Sequence, residues 1–102
     1  VIMDYNDVQL DGAGHDIMPL EPLEEKWRAF GFKIIEINGH NIRQILDALH
    51  TALEIHSQPV VILAHTTKGK GVSYMENEAL WHGAVPDETQ YQEARLELGG
   101  DQ

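Results

Sequence analysis

The chain has 102 residues and a formal net charge of −10, from 7 Lys and Arg against 17 Asp and Glu. This balance leaves no basic face for nucleic-acid phosphates or anionic lipids, and no apolar run approaches the ~20 residues of a membrane span. The sequence contains 0 cysteines, which excludes disulfides and thiolate metal sites. No secretory signal pattern opens the chain, so we expect a cytoplasmic setting.

The first third of the sequence predicts a strand, a loop and a short helix. Residues 1–5, VIMDY, are typical of a buried strand, and a polar loop follows to about Pro19. Residues 21–31 predict a helix, because Pro22 and the acidic side chains suit its first turn and Gly31 suits its end. The predicted apolar face of this helix consists of Leu23, Trp27 and Phe30.

The remaining elements alternate between strand and helix. Residues 32–37 and 59–65 predict strands, and the second is continuously apolar, as in a parallel sheet covered on both faces. Asn41 predicts the cap of a long helix, and Asp87 with Gln90 predicts a capping box for a final helix. The apolar positions of the long helix are Ile42, Ile45, Leu46, Leu49 and Leu53.

The order β-α-β-α-β-α predicts an α/β fold with a three-layer parallel sheet, in a single domain over residues 1–102. Ligands of such sheets bind at the carboxyl ends of the strands. We therefore expect a functional edge built from the loops at residues 6–12, 38–41 and 65–71. The polar residues of these loops are Asn6, Asp7, Gln9, Asn38, His40, His65, Thr66, Thr67, Lys68 and Lys70.

Asn6 follows the first strand directly, where its amide oxygen can face a hard cation such as Mg²⁺. The competing interpretation is an ordinary turn-forming asparagine. The chain contains no H-x-x-x-H or H-E-x-x-H metal pair and no Ser/His/Asp order typical of a nucleophilic triad.

The stretch HTTKGKG follows the last predicted strand and places glycines beside Lys68. Glycines let backbone N–H groups approach an anion, and the lysine supplies positive charge that this acidic chain otherwise lacks. The spacing differs from that of a Walker loop, and a flexible turn explains the pattern equally well.

The stretch ALWHG places His82 between Trp81 and Gly83, in a segment without a clear helix or strand pattern. A histidine there is a candidate proton donor or anion contact. The alternative is a structural histidine.

Four stretches together resemble the thiamine diphosphate-binding (PP) domain of transketolase, and particularly the separate N-terminal subunit of two-component bacterial transketolases. They are MDYNDVQLDG, EPLEEKWRAFGFKIIEINGHNI, PVVILAHTTKGKGVSYMEN and WHGAVP. The resemblance extends from about Val1 to Leu98. Its most specific part is T-x-K-G-x-G followed by E-x-x-x-x-W-H-G.

The resemblance implies a role for each matched residue. Asn6 matches an asparagine that binds Mg²⁺ through its side chain, and Val8 matches a position whose backbone carbonyl is also a Mg²⁺ ligand. Lys68 matches a lysine near the cofactor diphosphate. His82 matches a histidine that touches both the diphosphate side of the cofactor and the sugar substrate. The implied cofactors are therefore thiamine diphosphate and Mg²⁺.

The implied activity is transfer of a two-carbon ketol unit between sugar phosphates, as in the pentose phosphate pathway. The family's Gly-Asp-Gly and its pyrimidine-binding domain, which carries the activating glutamate, have no match in these residues, and Asp7 departs from the family beside Asn6. We therefore expect the carboxyl-terminal part of an incomplete cofactor-binding domain, inactive alone. The expected partners are the remaining transketolase polypeptide and a homo- or hetero-oligomer.

Two alternatives to this assignment stay open. The first is another thiamine diphosphate enzyme, such as deoxyxylulose-phosphate synthase. The second is a non-catalytic α/β ligand-binding or interaction module. The WHG segment and the KGKG loop favour transketolase over the first alternative, and the unmatched Gly-Asp-Gly favours the second.

Overall fold

The computed structural model describes residues 1–100. Its elements in chain order are strands β1 (Ile2–Tyr5), β2 (Val8–Gln9) and β3 (Gly12–Ala13), helices α1 (Gly14–Ile17) and α2 (Leu23–Ala29), strand β4 (Lys33–Asn38), helix α3 (Ile42–Glu54), strand β5 (Val60–His65), a 3₁₀ helix (Ala79–His82) and helix α4 (Glu88–Glu97). The described chain forms two compact units. The first contains Val1–Asn6 and Pro19–Thr66, and the second contains Asp7–Met18 and the residues from Thr67 onward.

The first unit is a parallel sheet in the order β1-β5-β4. Its registers run from Ile2 opposite Ile62 in one pair and from Lys33 opposite Val60 in the other. Helix α2 connects β1 to β4 and passes β5, and α3 connects β4 back to β5 in the opposite direction along the sheet. Because both crossovers are right-handed, the two helices lie on opposite faces of the sheet. This arrangement confirms the predicted three-layer α/β fold.

The α3 face of the sheet holds the larger buried cluster. Ile37, Ile62 and Ala64 pack there against Ala48, which is 3% exposed. The helix thus turns its alanine side toward the sheet, because small side chains allow close approach. Of the apolar positions that the helical period singles out, Ile45 packs against this cluster, whereas Leu46 is 49% and Leu53 is 74% exposed.

The α2 face is built around Leu23 and Trp27. The indole N–H of Trp27 donates to Met3 Sδ at 3.4 Å, and its ring meets Phe32 edge to face at 4.9 Å. Phe30, predicted to join this face, is 79% exposed because the helix ends at Ala29. The predicted apolar face is therefore correct for two of its members and wrong for the third.

The predicted caps are confirmed at both longer helices. The Asn41 side chain accepts the Gln44 N–H at 3.2 Å at the start of α3. At the start of α4, Asp87 and Gln90 form the reciprocal capping box. Such caps satisfy backbone N–H groups that have no partner inside the helix.

The polar segment after Asn6, predicted to be a loop, contains further structure in the second unit. Strands β2 and β3 form a short antiparallel hairpin with Val8 opposite Ala13, and α1 follows. Asp7 has a φ of 52°, and its carbonyl accepts the Gly14 N–H at 2.7 Å. A side chain in the left-handed region is uncommon outside glycine, which is why the sequence pattern concealed this turn.

Apolar side chains remain exposed on the first unit. A groove of about 470 Å³ lies beside β1 and α3, and its walls include Val1, Ile2, Leu49 and Leu53. The expectation that another polypeptide or a second copy covers apolar surface stays a prediction. Within residues 1–100, none of the helices combines the length and apolarity needed to cross a bilayer.

Candidate functional site

Three loops of the first unit meet at the carboxyl edge of the sheet, as predicted from the parallel order. Gly39 N–H donates to the His65 carbonyl at 2.8 Å, and Thr66 N–H donates to the Tyr5 carbonyl at 3.1 Å. A Cβ on Gly39 would lie 2.4 Å from Thr66 Cγ2, so only glycine permits this approach. Asn6 follows β1 at this same edge.

A charged cluster lies on the α2 side of the same sheet. His65 Nε2 is 3.0 Å from Glu36 Oε2, and Arg28 donates to Glu24 at 2.5 Å. A proton shared between the Glu24 and Glu36 carboxylates raises the pKa of Glu24, and this sharing together with the contact of His65 lowers the pKa of Glu36. The sequence analysis missed this cluster, because the pairing of β4 with β5 is a long-range property that brings positions 36 and 65 together.

Asp7, the residue that departs from the family beside Asn6, is held within the second unit. Its Oδ2 is 3.5 Å from His15 Nδ1, and its Oδ1 would be 2.4 Å from a Cβ on Gly14. The carboxylate therefore packs on the Gly14 backbone beside His15. Val8, the predicted carbonyl ligand, follows at the start of β2.

The T-x-K-G-x-G stretch forms a closed loop in the second unit. Gly69 and Gly71 have φ values of 71° and 96°, and a Cβ on Gly69 would lie 2.4 Å from the Met75 carbonyl oxygen. Lys70 N–H donates to Thr67 O and Val72 N–H donates to Gly69 O, each at 3.2 Å. The glycines are therefore required by the path of the loop, and these amides, which the sequence suggested for an anion, are already bonded internally.

The two lysines of this loop have different surroundings. Lys70 Nζ is 3.1 Å from Glu76 Oε1. Lys68 is half-buried, and within residues 1–100 no carboxylate oxygen lies within 4.0 Å of its Nζ. Lys70 is thus ion-paired with Glu76, whereas Lys68 has no carboxylate partner within residues 1–100.

The WHG segment is anchored by its tryptophan. Trp81 Nε1–H donates to the Tyr74 carbonyl at 3.0 Å, and the two rings meet edge to face at 5.3 Å. Tyr74 OH in turn donates to the Gln90 carbonyl at 2.7 Å, and burial is the main cause that raises its pKa. His82 ends the 3₁₀ helix and is exposed, so Trp81 packs while His82 is presented to solvent.

The predicted site residues fall in both units. Asn6 belongs to the first unit, and Val8, Lys68 and His82 belong to the second. Their joint role stays a prediction. Residues 1–100 contain no group of three or more His, Cys, Asp and Glu that could hold a metal ion. A site made from an asparagine amide and a backbone carbonyl would not include such a group.

Comparison with known proteins gives matches along the whole chain. Residues 1–102 match the family described as "Transketolase, thiamine diphosphate binding domain". The chain is 40% identical over 97 residues to an apulose-4-phosphate transketolase subunit of Phocaeicola vulgatus, covering 95% of this chain and 34% of that protein. It is 43% identical over 95 residues to 6-deoxy-6-sulfo-D-fructose transketolase subunit SqwG of a Clostridium species, covering 93% and 34%.

A protein with a different name matches a smaller part of the chain. The 1-deoxy-D-xylulose-5-phosphate synthase of Dehalococcoides mccartyi is 42% identical over 62 residues, which cover 59% of this chain and 10% of that protein. Among solved structures, transketolase from Campylobacter jejuni superposes with a TM-score of 0.87 at 30% identity, covering 98% of this chain and 16% of that one.

The chain spans about a third of the length of the transketolase subunits it matches, 34% in both cases. The family match nevertheless includes every residue, and the fold superposes on that of solved transketolases. The chain therefore belongs to the transketolase family, within its thiamine diphosphate-binding domain.

Proposed function

We propose that this chain supplies metal, diphosphate and substrate contacts in a transketolase that transfers a two-carbon ketol unit between sugar phosphates. The observation that carries the proposal is the contrast between the two loop lysines. Lys70 is paired with Glu76, and Lys68 keeps an unpaired charge within residues 1–100. An anion on a chain of net charge −10 needs such a cation.

The residues present fit a Mg²⁺–diphosphate group in their chemistry. Mg²⁺ takes oxygen ligands and usually keeps phosphate and water in its shell. The Asn6 amide oxygen and the Val8 carbonyl oxygen are such ligands, and Lys68 would offset the remaining phosphate charge. Asp7 does not oppose this assignment, because its carboxylate packs on Gly14 beside His15.

His82 would contact the substrate and the diphosphate side of the cofactor. It follows Trp81, whose hydrogen bond and ring contact with Tyr74 fix the segment and leave the imidazole exposed. An exposed imidazole can donate a hydrogen bond to a sugar oxygen or move a proton near neutral pH. When bound, thiamine diphosphate supplies the reactive carbon, and these protein groups supply binding and orientation.

The activity would require a companion polypeptide. Two relatives bear names of transketolase subunits, which supports a two-component assembly. We expect the companion to carry the pyrimidine-binding domain and its activating glutamate, so that this chain alone binds thiamine diphosphate weakly or not at all. The proposal includes homo- or hetero-oligomeric assembly and a cytoplasmic location.

Two other functions compete with this one. A deoxyxylulose-phosphate synthase would form deoxyxylulose phosphate, whereas a transketolase would transfer a ketol unit between sugar phosphates. A non-catalytic module would bind no thiamine diphosphate even with its companion. Assays of the assembled protein for each product, together with cofactor titration, separate the three functions.

The test is calorimetric titration of thiamine diphosphate with Mg²⁺ into the protein assembled with its companion polypeptide. Lys68→Met should raise Kd by about 10- to 100-fold, the expected loss of a hydrogen bond to a charged group. The matched control is Lys33→Met, because Lys33 is exposed on β4 and its side chain makes no ion pair within residues 1–100. Equal affinities for the two variants would contradict the proposed role of Lys68.

A further inference from the structure

We propose that Glu76 is a positioning residue that closes the loop from Thr67 to Asn77 and thereby sets the place of Lys68. The inference rests on the proposed function, in which Lys68 contacts the cofactor diphosphate. In this proposal Lys70 stabilises the loop through Glu76, and Lys68 is the lysine that contacts the diphosphate.

The Glu76 carboxylate contacts both a backbone amide and a side chain across the loop. Its Oε1 accepts the Gly71 N–H at 3.1 Å and lies 3.1 Å from Lys70 Nζ. The Glu76 side chain is 34% exposed and that of Lys70 is 53% exposed. One carboxylate oxygen therefore binds both the backbone and the side chain on the far side of the loop, and a hydrogen bond to a charged acceptor is stronger than a neutral one.

The residues on either side of Glu76 also contact the far side of the loop. Asn77 N–H donates to the Lys68 carbonyl at 2.9 Å, so the chain after Glu76 is bonded to the residue whose position matters. Asn77 reaches this position with a φ of 61°, and Gly69 fits against the Met75 backbone only because it has no Cβ. Residues 75–77 thus pack against residues 68–71 and bond to them.

Removal of the Glu76 carboxylate should loosen the packing of residues 68–71 against residues 75–77. The Gly71 N–H and the Lys70 ammonium would both lose their partner, and the left-handed glycines give the loop other accessible conformations. Lys68 would then spend part of its time away from the diphosphate. Lys70 would also become free to compete for the anion in a different geometry.

The test has two readouts, both measured on the protein assembled with its companion polypeptide. The first is the Kd for thiamine diphosphate with Mg²⁺, and the second is hydrogen exchange at the Gly71 amide. Glu76→Ala should weaken the cofactor by about tenfold. Glu76→Gln keeps an oxygen for the Gly71 N–H and should cost only about threefold. Both should leave kcat at saturating cofactor within about twofold.

Glu93→Gln is the matched control, because Glu93 is exposed on α4 and its side chain makes no hydrogen bond or ion pair within residues 1–100. It should change neither readout. Circular dichroism checks that each variant is folded. If Glu76→Ala fails this check, Glu76→Gln and Lys70→Met decide, and each should raise both Kd and Gly71 exchange by a smaller factor.

The outcomes separate this inference from the function on which it rests. If Lys68→Met weakens the cofactor and the Glu76 variants do not, the positioning role is wrong and the proposed function stands. If Lys68→Met has no effect, both are wrong. Faster Gly71 exchange with unchanged cofactor affinity would reduce Glu76 to a purely structural residue and overturn the inference.

Discussion

Gly69→Ala should lower the free energy of unfolding for two reasons, the backbone conformation at Gly69 and a steric overlap with Met75. Gly69 has a φ of 71°, and placing alanine in the left-handed region costs about 1–2 kcal/mol. The new Cβ would also lie 2.4 Å from Met75 O and 2.6 Å from Met75 C, where ordinary contact begins at 3.4 Å. Both are backbone atoms, so the loop must shift by about 1 Å, and overpacking of this kind costs about 1–3 kcal/mol.

The expected loss in the free energy of unfolding is therefore about 2–5 kcal/mol. Gly31→Ala is the matched control, because Gly31 has a φ of 83° and its Cβ would meet no described atom within 4 Å. Gly31→Ala should lose only the free energy that alanine costs in the left-handed region, about 1–2 kcal/mol. Urea unfolding of the two variants measures the difference.

Cofactor affinity provides the second comparison. Gly69→Ala moves the backbone next to Lys68 and should weaken thiamine diphosphate, whereas Gly31→Ala lies beyond α2 in the first unit and should not. The reasoning is refuted if the two alanine variants are equally stable, or if Gly69→Ala binds the cofactor as tightly as the unsubstituted protein.

Two further predictions concern His82 and Glu97. His82→Ala should lower the rate of ketol transfer by about 10²- to 10⁴-fold if His82 moves a proton, with little change in melting temperature because the side chain is exposed; a large drop in melting temperature with normal transfer would make His82 structural. Ser73 OH and N–H bonds to Glu97 hold the pKa of Glu97 below its ordinary value of 4.5. Glu97 therefore binds a proton more readily in the unfolded chain than in the folded protein. The stabilisation that the ionised Glu97 gives the folded protein is present above pH ~4.5 and is lost as the pH falls through the folded pKa of Glu97. Unfolding of Glu97→Gln should accordingly approach that of the unsubstituted protein as the pH falls through the folded pKa of Glu97, and a difference that does not depend on pH would contradict this cause.

Local signals in the sequence predicted the backbone of the fold well. Asn41 and Asp87 cap α3 and α4 as expected, because a cap depends on residues within one helical turn. The parallel sheet followed from the alternation of elements. The core face of α3 followed only in part, since Ile45 packs against the sheet cluster as the helical period indicated, whereas Ala48 rather than a leucine is the buried residue of that face.

The candidate site shows the same division. The resemblance implies roles for the residues at positions 6, 68 and 82 that stay predictions, and local pattern alone left each of them ambiguous. The pairing of Lys70 with Glu76 and the contact of Gly69 with Met75 depend on how the chain folds back, which no local pattern encodes. Gly69 of the KGKG loop fits against Met75 only because it has no Cβ, and the predicted approach of the loop amides to an anion stays a prediction.

The central claim is that this chain's own residues contact the metal and the diphosphate of the cofactor. Its most direct test is paramagnetic relaxation of backbone amides by Mn²⁺, substituted for Mg²⁺, in isotopically labelled protein assembled with its companion polypeptide. With thiamine diphosphate present, the amides of Asn6, Val8 and Lys68 should broaden, and without it they should sharpen. Broadening centred on the acidic helix α4, independent of thiamine diphosphate, would contradict the claim.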